Sequence, residues 1–64
     1  MKVKDLKKGE FFTRKPIENP TENQVYIRGD YDREYKRYRC DKFSDISKDI
    51  LLKGETEVYT DFTF

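Results

Sequence analysis

The chain has no histidine, no tryptophan, one cysteine, two prolines and three glycines in 64 residues. Each scarcity excludes something. Without histidine there is no imidazole base to activate a serine or cysteine nucleophile. A single thiol makes no internal disulfide, and with no histidine beside it no ordinary zinc site can be assembled. The three glycines lie far apart, so there is no phosphate-cradling glycine loop. No run of about 20 apolar residues is present to cross a membrane, and the opening MKVKDLKKGE has no apolar signal-peptide core. A lone thiol without a signal peptide is expected in a reducing, cytoplasmic setting.

Apolar residues are also scarce, at 34%. A chain of this length makes one domain, 1–64, and buries only about 60% of its unfolded surface. Five Phe and five Tyr compensate, because each aromatic can bury roughly 150–250 Å². Charged residues reach 42%, but the net charge is only +1. The charge comes in blocks: residues 1–15 sum to +4, 16–32 to −3, 33–42 to +3 and 43–64 to −3. Such blocks either fold against one another or leave a basic face opposite an acidic one.

Short β-branched and aromatic runs between turn signals predict an all-β fold. Leu6-Lys7-Lys8-Gly9-Glu10 reads as a turn with Gly9 at positive φ, followed by a short strand at Phe11-Phe12-Thr13-Arg14. Lys15 to Asn23 reads as a loop, with Ile17 as its anchor to the core. Gln24 to Tyr31 alternates as a strand. A turn at Asp32–Tyr35 then gives a hairpin in which Ile27 pairs with Cys40, Gly29 with Tyr38 and Asp30 with Arg37. That register puts Val25, Ile27, Tyr38 and Cys40 on one inward face. Cys40 is accordingly expected in the core. Residues 45–53 admit two readings. One is a short helix capped by Ser44, which would make the fold α+β. The other, preferred, is a polar loop followed by a strand at Ile50-Leu51-Leu52 and a turn at Lys53-Gly54-Glu55. Thr56 to Phe64 reads as the strongest strand, with Val58, Phe62 and Phe64 on one face, pairing with 50–52. Phe11–Thr13 is placed to close the sheet on its other edge. The expected fold is therefore an SH3-like barrel or a strongly bent antiparallel sheet of about five short strands.

Leu6-Lys7-Lys8-Gly9-Glu10-Phe11-Phe12 and Gly54-Glu55-Thr56-Glu57-Val58 resemble the ends of a class of short bacterial and phage β-barrel proteins. These open with a Leu-x-x-Gly-acidic-x-Phe turn and close with a Gly-x-Thr-x-Val hairpin. The resemblance covers about a fifth of the chain and implies a small β-barrel. It brings no activity and no functional residues.

No pair of carboxylates sits in an apolar context suited to acid–base work. Asp30, Asp32 and Glu34 lack the glycine and terminal bidentate glutamate of a calcium loop. No cofactor and no enzymatic activity are expected. What remains is the polar face of the 24–43 hairpin. The expected register points Tyr26, Arg28, Arg37 and Arg39 outward together, with Lys36 and Arg33 at the tip. Arg28 would oppose Arg39, a destabilising pair unless something neutralises it. Basic groups around an aromatic are how small β-platforms hold nucleic acid. The plainer reading is a solvated face of mixed charge, with Asp30 and Asp41 among the arginines. The leading expectation is a binding module for nucleic acid through Tyr26, Arg28, Lys36, Arg37 and Arg39. The alternative is a protein-interaction module, self-associating through a strand edge or through the terminal Phe64.

Overall fold

The computed structural model describes residues 1–63, apart from the side chain of Ile46. Four strands, β1 (Phe11–Thr13), β2 (Val25–Asp32), β3 (Arg37–Lys42) and β4 (Asp45–Leu52), form one antiparallel sheet in the order β1-β2-β3-β4. The only helical elements among the described residues are two three-residue 3₁₀ turns, Val3–Asp5 and Glu22–Gln24. The fold is all-β, as expected. The sheet is open, so the barrel alternative is not realised.

Local chemistry places the turns. Gly9 takes φ +89°, as its sequence context predicts, and its N–H donates to the Arg28 carbonyl at 2.7 Å. Asp32 closes the β2–β3 turn by accepting from the N–H groups of Glu34 (2.9 Å) and Tyr35 (3.2 Å). Lys36 completes that turn at φ 55°, a left-handed position unusual for lysine. Lys15–Thr21 is a loop in which Pro20, rather than Ile17, is the buried residue, and the 3₁₀ turn takes the rest of the expected loop.

The β2–β3 register differs from the expected one. Tyr26 pairs with Lys42, Ile27 with Asp41 and Arg28 with Cys40, and beyond a bulge Tyr31 pairs with Tyr38 and Asp32 with Arg37. Gly29 is the reason. A Cβ built there would lie 2.6 Å from the Arg39 carbonyl oxygen, so the two backbones approach as only glycine permits. The slip exchanges the faces of β2. Tyr26 and Arg28 turn toward the core side, and Ile27 turns away from it.

The 45–53 segment is not a helix: Ile50–Leu52 are strand and a turn follows, as preferred, but the strand starts at Asp45 and takes in the expected polar loop. β4 begins at Asp45 and pairs with β3 through Cys40↔Ile50 and Tyr38↔Leu52. A helix would place only Ile46 and Ile50 on one face. The strand instead buries Leu52 and packs Ile50 against the core, so tertiary pairing overrides the capping signals. A register shift between Asp41 and Lys42 absorbs the polar residues near Ser47, whose N–H donates to Asp45 at 3.1 Å.

The described residues after Gly54 do not pair with β4. They run beside the N-terminal segment instead: Lys4 N–H donates to Gly54 O (3.1 Å), Val3 N–H to Thr56 O (3.0 Å) and Val58 N–H to Met1 O (2.8 Å). Tyr59 then exchanges two backbone hydrogen bonds, each 2.9 Å, with Thr13 on the free edge of β1. The expected fifth strand is reduced to these bridges, and Phe64 lies outside the described residues. Val3, Leu6, Phe12, Cys40, Leu52 and Val58 form the core, with Tyr26, Tyr38 and Ile50 packed against it. The terminal segments thus cover the sheet face that carries Phe12 and Cys40.

The charge blocks fold against one another. Met1 NH₃⁺–Glu57, Lys2–Glu55, Lys4–Glu55, Lys8–Asp30 and Arg39–Asp49 each join a basic block to an acidic one. No helix among the described residues is long and apolar enough to cross a membrane.

Candidate functional site

The five residues marked by the sequence do not share a face. Tyr26 lies on the core side and stacks on Phe12, with ring centroids 5.7 Å apart. It also lines a separate cleft with Arg14 and Lys15. Arg28 opposes Cys40 rather than Arg39. Its guanidinium carbon sits 4.3 Å from the centroid of Tyr38, and its Nε is buried without a hydrogen-bond partner. Arg39 lies across from Leu51 on the other face, and its Nε binds Asp49 at 3.1 Å. That pair also relieves the like-charge opposition of Asp41 and Asp49. Asp30, expected opposite Arg37, instead binds Lys8 at 2.8 Å, and its carboxyl is held below the usual range chiefly by that lysine. Arg28 is therefore separated from Arg37 and Arg39, which share the outer face of β3 as expected. Lys36 and Arg37 do come together, at the hairpin tip.

The tip opens onto a groove of about 470 Å³. Tyr31, Tyr35 and Tyr38 line it. Tyr31 and Tyr38 meet at 4.9 Å with their planes at 62°, an edge-to-face contact made by the pairing beyond the bulge. Tyr38 is further fixed by Gly54, where an added Cβ would lie 3.3 Å from the ring. Tyr35 at the turn is 60% exposed and Tyr31 is 47% exposed. Two rings thus show much of their surface, and the third is held from behind.

Four cations share the same groove: Lys36 and Arg37 from the hairpin, Lys4 from the N-terminal segment and Lys53 from the end of β4. One carboxylate, Glu55, faces them. Glu55 accepts from Lys2 and Lys4 at 2.6 Å each, and these contacts draw its pKa down to about 2. Lys2 is raised in turn, first by its hydrogen bond to Glu55. Among the described residues no carboxylate lies within ion-pair distance of Lys36, Arg37 or Lys53.

Tyr31, Tyr35, Lys4 and Lys53 were missed by the reading of one hairpin face. The spacing of Tyr31 and Tyr38 across the turn is a usable signal once a bulge at Gly29 is allowed. Lys4 and Lys53 carry no local signal, because they arrive through the Lys4–Gly54 backbone contact between distant segments.

Cys40 is fully buried, as expected, and burial pushes its thiol up to about 11. Among the described residues no cluster of three His, Cys, Asp or Glu side chains is arranged to hold a metal ion. The groove offers rings and positive charge, which suits noncovalent capture of an anion with flat apolar parts. Comparison with protein-family models, with curated proteins and with solved structures gave no match.

Proposed function

We propose that this protein is a small, non-enzymatic module that binds nucleic acid through the tyrosine-lined groove at the β2–β3 tip. The observation that carries this reading is the convergence of Tyr31, Tyr35 and Tyr38 with Lys4, Lys36, Arg37 and Lys53 around a single carboxylate. Cations neutralise phosphates and release their counterions. Tyrosine faces stack on bases. The lone buried thiol agrees with work in a reducing compartment such as the cytoplasm.

The test is anisotropy of a labelled oligonucleotide across a salt series. With about three phosphate contacts, affinity should fall roughly 20- to 40-fold between 50 and 200 mM salt. Lys36→Glu combined with Arg37→Glu should abolish binding. Absence of binding at low salt would refute the reading.

A second reading rests on β4, the last strand in the sheet order, with only β3 beside it. In that reading the chain associates with a second copy along β4. Light scattering would then show a mass that rises with concentration and is indifferent to the Lys36 and Arg37 changes.

A further inference from the structure

We infer that the groove selects a single strand of nucleic acid over a duplex, with unpaired bases seated on Tyr35 and Tyr31. This rests on the nucleic-acid reading above and narrows it.

Exposure is the first ground. Tyr35 and Tyr31, 60% and 47% exposed, line a shallow, open groove. A duplex keeps its base faces stacked inside and presents sugar and phosphate outward, so it gives these rings nothing to cover. An unpaired base has a free face for each.

Tyr38 supplies the second ground. One side of its ring carries Arg28 at 4.3 Å, Tyr31 meets it at 4.9 Å, and the Gly54 backbone packs beside it. It is a positioning residue: it holds Tyr31 and has little surface left for a ligand. Arg28 is part of that support, and its position on the core side separates it from the phosphate-binding cations.

Charge and size complete the case. Lys36, Arg37 and Lys53 are the groove cations without a carboxylate partner, whereas Lys4 is held by Glu55. They are available to the phosphates between stacked bases. The volume of about 470 Å³ lies within the range of roughly 300–1,000 Å³ typical of sites for small ligands. That is the scale of one or two nucleotide units.

The experiment compares three probes on the whole chain at one salt concentration: a labelled 12-nucleotide oligo(dT), a 12-base-pair duplex, and inorganic polyphosphate. The single strand should bind at least tenfold tighter than the duplex. Tyr35→Ala, at an exposed turn position, should weaken the single strand about 5- to 100-fold while leaving its salt slope unchanged. The same change should leave duplex and polyphosphate binding as they were, and Tyr35→Phe should restore the wild-type affinity. A thermal melt confirms that each variant is folded. Equal binding of single strand and duplex, or a silent Tyr35→Ala, overturns the inference and leaves polyanion binding through the cations standing. No binding of any probe overturns both.

Discussion

Gly29→Ala tests the bulge that organises both the core and the groove. The φ of Gly29 lies outside the left-handed region. In an unobstructed strand, alanine there would stabilise the fold by about 0.4–1 kcal/mol by restricting the unfolded chain. Here the new methyl would lie 2.6 Å from the Arg39 carbonyl oxygen, against 3.4 Å for ordinary contact, so the strands must part by 0.8 Å. The obstructing atom is backbone, within the β2–β3 ladder, and cannot rotate aside as a side chain tip could. Overpacking of this kind costs about 1–3 kcal/mol. The two effects have opposite signs, and the clash is the larger. The net loss of about 1–2 kcal/mol should lower the melting temperature by roughly 5–15 °C in a domain of this size. Circular dichroism melts, with urea titration to check that the m-value is unchanged, read this directly. A variant that melts at or above the wild-type temperature would refute the close approach at Arg39. The bulge, the inward turn of Arg28 and the Tyr31–Tyr38 pairing would fall with it.

Other outcomes follow from the titrating groups. Cys40 should resist a thiol reagent at pH 8 in the folded protein and react at once in denaturant. Because its folded pKa of about 11 exceeds the 9.0 of a free thiol, its contribution to stability is complete below pH 9 and is lost as pH rises toward 11. Glu55 has the opposite sign. Its pKa of about 2 against 4.5 means a contribution present above pH 4.5 and lost as pH falls toward 2. Carboxyl NMR would detect it, and a midpoint near 4.5 would show that the Lys2–Glu55–Lys4 contacts do not persist in solution. Glu55→Gln also removes the one carboxylate that lines the groove among the described residues, so it should tighten oligonucleotide binding and steepen the salt slope by about one.

Features set by neighbouring residues were legible in the sequence. These are the positive φ at Gly9, the strand over β2, the Asp32 turn and the burial of Cys40. Features set by a long-range choice were not. The alternation of Val25 and Ile27 argued for an inward Ile27, and one bulge at Gly29 reversed the assignment for Tyr26, Arg28 and Ile27. A lone glycine inside a strand is itself a bulge signal. The polar stretch from Asp45 to Asp49 looked like a loop because an outer strand needs little apolar content. For the candidate site, Lys36 and Arg37 were found because they sit on the turn itself. Tyr26 and Arg28 were misplaced because their grouping depended on the register, whereas Arg39 faces outward as expected. Lys4 and Lys53 became neighbours of the tip only through pairing of the two terminal segments.

That pairing bears on how the molecule comes into being. Met1 and Glu57, 56 positions apart, are tied by charge, and Val3 and Val58 complete the same core. Closing so long a loop is entropically slow compared with forming the β2–β3 hairpin. The hairpin should therefore appear early with its tyrosines and basic tip, and the wall bearing Lys4, Lys53 and Glu55 should assemble last. Pulsed hydrogen exchange would show protection in β2 and β3 before the Val3 and Val58 amides, and simultaneous protection would contradict this order.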